Sequence, residues 1–135
     1  MIGIVLVTHG DIGKEMLAAA KNIIPEANHV TALAIDSTKP PAFLRGQVQK
    51  AINQVTQPAG VLLLTDMFGG TPANICLSFL NKGEVEVIAG VNLPMLIKLI
   101  NQKEEMSLAE MASFINTYGQ RNIVIASKVL DGEVK

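Results

Sequence analysis

The chain has 135 residues, the size of one ordinary domain, and with 49% hydrophobic and only 17% charged residues it is too apolar to be a disordered chain. Eleven basic and twelve acidic residues give a net charge of −1 without a basic stripe, which argues against nucleic-acid binding through phosphate contacts. The apolar runs are far shorter than the ~20 residues that span a bilayer, and no signal peptide precedes the first strand pattern. A lone cysteine permits no internal disulfide. We therefore expect one cytoplasmic domain over residues 1–135 that does not insert into a membrane.

Short apolar runs alternate along the chain with longer segments of helical periodicity. Residues Ile2–Val7 are continuously apolar, which is typical of a strand covered on both faces. Apolar residues then recur every three or four positions over Ile12–Ile24, which indicates one buried helix face, and Pro25 ends this helix. A second strand is predicted at Val30–Ile35. After a proline-containing loop, a second helix carries the apolar positions Leu44, Val48, Ala51, Ile52 and Val55.

The second half of the chain repeats this alternation. A third strand is predicted at Val61–Thr65 and a fourth at Val85–Ala89. Between them lies a helix from Pro72 to about Leu80, with Thr71 as its N-cap. The remaining predicted elements are a helix ending near Asn101, a helix that a capping box opens at Ser107–Glu110 and Gly119 closes, and a final strand at Asn122–Ala126.

Strands that alternate with helices at this spacing predict βαβ units, and therefore an α/β fold with a parallel sheet and right-handed crossovers. In such sheets, ligands and catalytic groups gather at the carboxyl ends of the strands. If the first and third strands are neighbours, His9 and Asp66 lie at the same edge within hydrogen-bonding reach. The three strand ends that carry polar or glycine residues are Thr8–Asp11, Asp66–Pro72 and Gly90–Asn92.

The pairing of His9 with Asp66 would have a clear chemical use. A carboxylate that accepts the proton of one ring nitrogen fixes the imidazole tautomer and leaves the other nitrogen as a nucleophile. The turn Gly69–Thr71 would add backbone N–H groups for an anion at the start of a helix. This combination suits phosphoryl transfer onto histidine, for which neither a cofactor nor a metal is expected.

Structural readings of the same residues stand beside the functional one. A single histidine after a strand is often only a hydrogen-bonded residue, a Gly-Gly turn is often only a turn, and Asp66 could simply support that turn. His29 precedes the second strand and is expected at the surface of the opposite end of the sheet, while Cys76 is expected in the core. Neither G-x-G-x-x-G nor a P-loop is present, so a nucleotide cofactor is disfavoured.

Three separated segments carry a resemblance to a known family: Gly3–Gly10, Leu64–Asn74 and Val87–Leu96. In this order they resemble the mannose-type enzyme IIA domains of the phosphoenolpyruvate:sugar phosphotransferase system, and the likeness covers essentially the whole chain. It implies a three-layer α/β/α sandwich with parallel strand order 2-1-3-4. It also implies a fifth, antiparallel edge strand near the C-terminus, which in this family is often exchanged between the protomers of a homodimer.

The resemblance also implies roles for individual residues. His9 would be phosphorylated on Nε2, with Asp66 holding Nδ1–H, while the amides and hydroxyl around Gly69, Gly70 and Thr71 receive the phosphoryl oxygens. The donor would be the small histidine-containing phosphocarrier protein and the acceptor a IIB component. Two departures from common family residues are Thr71 in place of Ser and Phe68 in place of Trp. Further residues expected to line this site are Gly10, Phe68 and Asn92.

The sequence leaves two other functions open. Many family members continue through a linker into a fused IIB domain, whereas this sequence stops at Lys135. The chain could therefore be a regulatory IIA protein whose phosphorylation at His9 switches partner binding, instead of a sugar-transport component. The phosphotransfer subunit of dihydroxyacetone kinase is a third reading, which the turn Asp66–Pro72 favours less than the mannose type.

Overall fold

The computed structural model describes residues 1–132 as strands and helices that alternate along the chain. The α/β class is confirmed, and the elements up to residue 121 lie close to their predicted positions. In chain order these are β1 (Gly3–His9), α1 (Ile12–Ile23), β2 (Val30–Ile35), α2 (Pro41–Val55), β3 (Val61–Thr65), α3 (Thr71–Leu77), β4 (Val85–Ala89), α4 (Leu93–Ile100), α5 (Leu108–Arg121) and α6 (Ala126–Leu130).

Within residues 1–132 the strands form one parallel sheet of four strands in the order β2-β1-β3-β4, as predicted. The register places Leu6 of β1 between Ala32 of β2 and Leu64 of β3. Strands β1 and β3 are therefore central and paired on both sides, whereas β2 and β4 are the edges. The carboxyl ends of the two central strands meet, because Val7 pairs with Thr65 in the last rungs of the ladder.

The sheet is covered on both faces, which gives three layers. Because successive strand side chains point to opposite faces, Ile4 and Leu6 pack against α1, α4 and α5, while Val5 and Val7 pack against α2 and α3. Nearly every β1 side chain is therefore buried, which explains why this strand is a continuous apolar run in the sequence. Helices α1 to α5 each contribute buried apolar residues to one of these two cores, as amphipathic helices do, whereas α6 has no buried residue.

The local signals at helix ends are partly confirmed. The capping box of α5 is present: the hydroxyl of Ser107 accepts a hydrogen bond from the Glu110 backbone N–H at 3.1 Å, and the Glu110 carboxylate accepts one from the Ser107 N–H at 2.9 Å. The N-cap of α3 is Gly70, not Thr71, which is the first residue of the helix, and α3 ends at Leu77 instead of Leu80. Pro25 indeed lies just beyond the end of α1.

The prediction that Gly119 ends a helix is wrong, because α5 continues to Arg121. Gly119 is buried inside the helix, at the point where α5 meets α4. A Cβ atom at this position would overlap the side chain of Met95 in α4. Gly119 therefore allows two helices to approach closely, and this packing outweighs the low helix propensity of glycine.

The fifth strand predicted at Asn122–Ala126 does not form in the described chain. Asn122 is in a turn, residues 123–125 are irregular, and α6 begins at Ala126. A strand exists only where its backbone groups pair with another strand. Within residues 1–132 this segment pairs with neither free edge of the sheet, β2 or β4, and the side chains of Ile123, Val124 and Ile125 are 77%, 52% and 61% exposed.

None of the helices in the part of the chain that the structure describes combines the length and the apolar character needed to cross a membrane.

Candidate functional site

The structure brings His9 and Asp66 together at the carboxyl edge of the sheet. His9 is the last residue of β1, and Asp66 directly follows β3. Their side chains lie 2.8 Å apart, measured from Nδ1 of His9 to Oδ2 of Asp66. The backbone N–H of His9 also donates to Oδ2, at 3.3 Å. One carboxylate oxygen therefore holds both the main chain and the ring of His9, whereas the strand topology predicts only that the two residues come within hydrogen-bonding reach.

The two partners differ in their exposure to solvent. The Asp66 side chain is 13% exposed, whereas that of His9 is 42% exposed. An ionised carboxylate only accepts hydrogen bonds, so the contact is satisfied when Nδ1 carries the ring proton. Nε2 then has a free lone pair on the open side of an anchored ring. The second carboxylate oxygen, Oδ1, is buried and has no hydrogen-bond partner among the described residues, so His9 is the side-chain partner of this carboxylate there.

The glycine turn before α3 lies against the free nitrogen of His9. Gly69 and Gly70 have φ angles of +92° and +85°, a region that residues with a side chain rarely adopt. A Cβ atom on Gly70 would lie 3.0 Å from Nε2 of His9 and 3.1 Å from Cε1. The open space beside Nε2 therefore depends on the missing side chain of Gly70. Thr71 follows as the first residue of α3 and is half-buried.

The other predicted lining residues have different surroundings. Gly10 directly follows His9, is exposed and has a φ of +49°. Phe68 lies in the glycine turn and is 76% exposed. Asn92 caps α4 by accepting from the Met95 N–H at 3.1 Å, and it donates to the carbonyl of Gly119 at 3.0 Å. Both polar groups of Asn92 are therefore used where α4 meets α5, and a ligand would have to displace these bonds.

For two residues of this edge the sequence predicts no role of their own. Thr8 and Thr65 precede His9 and Asp66, and both are completely buried. The hydroxyl of Thr8 accepts a hydrogen bond from the N–H of Gly13 at 2.8 Å, and the hydroxyl of Thr65 donates to the carbonyl of Met67 at 3.3 Å. The signal that could have revealed them is a polar residue at the end of each of two otherwise apolar strands.

The second histidine and the cysteine lie away from this pair. His29 precedes β2 at the opposite end of the sheet, where its carbonyl accepts from the Ile4 N–H and its Nδ1 lies 3.0 Å from the Gln57 amide nitrogen. It is half-buried, not fully at the surface as predicted. Cys76 is buried in α3, and burial raises the pKa of its thiol to about 12. Within residues 1–132, no cluster of three or more His, Cys, Asp or Glu side chains could hold a metal ion.

Comparison with known proteins identifies similar chains. The EIIA-man family model, described as PTS system fructose IIA component, matches residues 3–116. The fructose-specific EIIA component of the phosphotransferase system of Bacillus subtilis (strain 168) is 26% identical over 132 residues, which cover 97% of this chain and 90% of that protein. The mannose-specific EIIAB component of Escherichia coli (strain K12) is 28% identical over 124 residues, which cover 90% of this chain but only 38% of that protein.

The fold has a solved counterpart. The crystal structure of phosphotransferase system component EIIA from Streptococcus agalactiae matches with a TM-score of 0.82 and 23% sequence identity, over 95% of this chain and 99% of that one. The arrangement of strands and helices is therefore shared with a solved protein.

Proposed function

The chain belongs to the EIIA-man family of phosphotransferase system components, and on this basis we propose that it is a cytoplasmic phosphocarrier that takes up a phosphoryl group on Nε2 of His9. The observation that carries the proposal is the 2.8 Å contact between His9 Nδ1 and Asp66. It leaves Nε2 unprotonated on an open surface, in the state that a nucleophile requires.

The transfer proceeds in line between two imidazole rings. The donor is the phosphohistidine of the small histidine-containing phosphocarrier protein, and the bond between its ring nitrogen and phosphorus breaks as Nε2 of His9 bonds to phosphorus. No proton has to leave His9, because Nε2 attacks through its lone pair. The phosphorylated ring retains its proton on Nδ1, and the carboxylate of Asp66 stabilises the charge that develops on the ring.

The phosphoryl oxygens are received by the glycine turn. The amides of Gly69 and Gly70 and the hydroxyl of Thr71 supply the donors in this proposal. Support comes from the contact of Gly70 with the ring, since the space beside Nε2 exists only because residue 70 lacks a Cβ. The large positive φ angles of both glycines also keep this turn in a conformation that few other residues adopt.

The acceptor of the phosphoryl group is a IIB component. The name of the relative from Escherichia coli, an EIIAB component, places A and B functions in one protein, and this chain matches 38% of it. Around His9 the exposed apolar side chains of Met67 and Phe68, 54% and 76% accessible, offer a surface against which donor and acceptor can each dock in turn. In this proposal residues 1–135 form one IIA domain that exchanges phosphate with both partners.

Reconstituted phosphorylation tests the function. The protein is incubated with phosphoenolpyruvate, enzyme I and the phosphocarrier protein, and its mass is measured. We expect one acid-labile phosphate on the wild type and none on His9→Ala. Asp66→Asn should remain folded but take up phosphate about 10²–10⁴-fold more slowly, because the ring loses its oriented tautomer. Equal phosphate uptake by the wild type and His9→Ala would refute the proposal.

We further propose that the protein is a homodimer. Strand β4 is an edge of the described sheet, and an unpaired edge is a liability that folds usually cover. A groove between β4 and α5, lined in part by Phe68, Glu86 and Asn116, runs along this edge. In the proposed dimer, the exposed apolar segment 123–125 is the part of the chain that forms a strand added to the β4 edge. Light scattering across a concentration range should give the mass of a dimer, and a monomer throughout would contradict this assembly.

A further inference from the structure

The turn that follows His9 is closed by one buried hydroxyl group. Thr8 is completely buried, and its Oγ1 accepts a hydrogen bond from the Gly13 N–H at 2.8 Å. The same hydroxyl donates to the carbonyl of Gly10 at 3.4 Å. A single side chain therefore joins both ends of the segment from Gly10 to Gly13, which links β1 to α1.

This hydroxyl replaces the usual cap of a helix. Asp11 occupies the N-cap position of α1, but its side chain makes no capping hydrogen bond. The bond to an N–H of the first turn comes instead from Thr8, three residues earlier and still within β1. The position of α1 relative to the strand that carries His9 is thus set from inside the strand.

Close packing supports the same contact. A Cβ atom on Gly13 would lie 3.1 Å from Oγ1 and Cγ2 of Thr8 and 3.1 Å from Cβ of Leu6. The helix therefore reaches the strand at this point because residue 13 is a glycine. Replacing the Thr8 hydroxyl by a methyl group would preserve the volume but leave the N–H of Gly13 without its acceptor.

We propose that Thr8 is a positioning residue for His9, an inference that rests on the proposed function. The main-chain N–H and the ring Nδ1 of His9 share one acceptor, Oδ2 of Asp66. A rotation of the main chain at residues 9 and 10 moves the ring relative to that oxygen. By holding the carbonyl of Gly10 and the N–H of Gly13, the Thr8 hydroxyl prevents this rotation and maintains Nδ1–H on Asp66 and the lone pair on Nε2.

Three variants separate positioning from simple stabilisation. Thr8→Val removes the hydroxyl at nearly constant volume, Thr8→Ser retains it, and Thr31→Val makes the same exchange in β2, near the opposite end of the sheet. Each protein is examined by ¹⁵N NMR of the His9 ring, by the rate of phosphate uptake at a temperature where it is fully folded, and by thermal unfolding.

For Thr8→Val we expect phosphate uptake roughly 10- to 100-fold slower than in the wild type, because small displacements of a reacting group have effects of this size. The NMR spectrum should show an increased share of the Nε2–H tautomer. Thr8→Ser and Thr31→Val should resemble the wild type in both measurements. If Thr8→Val does not fold, Thr8→Cys, with a weaker hydrogen-bonding sulfur, should give an intermediate rate and tautomer ratio.

The proposal is overturned if Thr8→Val, or Thr8→Cys in its place, unfolds at a lower temperature yet keeps the wild-type tautomer and the wild-type uptake rate. It is also overturned if Thr8→Ser is as slow as Thr8→Val, since the hydroxyl would then be irrelevant. Failure of the wild type to accept phosphate refutes the proposed function instead. In that case the tautomer comparison still decides whether Thr8 positions His9.

Discussion

Adding a single methyl group at Gly70 should strongly slow phosphate uptake while leaving the backbone N–H in place. In Gly70→Ala the new Cβ lies 3.0 Å from Nε2 of His9 and 3.1 Å from Cε1. Just before transfer, the phosphorus atom lies about 3–3.5 Å from the attacking nitrogen, Nε2 of His9. The methyl group and the incoming phosphoryl group would therefore occupy the same space. The variant tests whether this space is where transfer occurs.

The size of the effect can be separated into two parts. The backbone at Gly70 has φ +85° and ψ 171°, a region that is essentially restricted to glycine, and forcing alanine into it costs about 1–3 kcal/mol of stability. Crowding of Nε2 is the part that lowers the rate of phosphate uptake. Since a misplacement of about 1 Å reduces rates by about 10²-fold, we expect uptake at least about 100-fold slower than in the wild type.

Gly83→Ala is the matched control for this experiment. Gly83 also has a positive φ, +82°, but it precedes β4 at the end of the sheet opposite His9, and a Cβ there would meet nothing within 4 Å. Both variants should therefore lose similar stability in urea unfolding, while only Gly70→Ala loses phosphate uptake by mass spectrometry under conditions where both are folded. If the two variants take up phosphate at the same rate, or if Gly70→Ala remains as fast as the wild type, the assignment of this space to the phosphoryl group is refuted.

Three further outcomes follow from the packing and charges described above. Gly119→Ala should destabilise the protein by about 1–3 kcal/mol in urea unfolding, because the new Cβ overlaps the side chain of Met95 in α4. Gly46→Ala in α2, where a Cβ has open space, should instead stabilise the protein by about 0.5–1 kcal/mol. Equal effects of the two substitutions would contradict the packing argument. Because burial raises the pKa of Cys76 to about 12, a thiol reagent at pH 8 should label the denatured protein promptly and the native protein only at its rate of opening. Hydrogen bonds from Ser107 lower the pKa of Glu110. The stability that the Glu110 carboxylate contributes is therefore complete above the ordinary glutamate pKa and is lost as the pH falls through the lowered pKa of the folded protein. In calorimetry, the difference in melting temperature between the wild type and Glu110→Gln should shrink over the same fall in pH.

The approach of His9 to Asp66 could be predicted because topology alone determines it. Two continuous apolar runs predict buried strands, and the family resemblance implies that the first and third strands are neighbours. Parallel strands end at the same edge, so the residues that follow these two are expected to meet. The distance of 2.8 Å and the orientation of the ring could not be predicted, since they depend on the turn geometry at Gly10 and Gly70. The turn at Gly10 is held by the buried hydroxyl of Thr8, and the turn at Gly70 lies against the ring of His9, which is distant in the chain.

The missed features share a physical cause. Gly119 has the local signature of a helix end, but its lack of a side chain serves the contact with α4, which no local pattern reveals. The β-branched run at residues 123–125 has strand propensity, yet a strand also needs a partner, and within residues 1–132 this run pairs with neither free edge of the sheet. Thr8 was predicted only as part of a polar strand end, because its hydrogen bond with Gly13 depends on the close approach of α1 to β1, which no local pattern reveals.

The central location of β1 and β3 has a consequence for motion. Strands β2 and β4 lie at the edges of the sheet and can separate from it in partial openings, whereas β1 and β3 are hydrogen-bonded on both sides. The backbone N–H groups of β1 and β3, the strands that lead to His9 and Asp66, should therefore exchange with deuterium only through complete unfolding. Their exchange should be slower than that of either edge strand. A phosphoryl group on His9 would thus sit on the slowest-opening part of the molecule, so that its lifetime depends on chemistry and partners rather than on fluctuations of the fold.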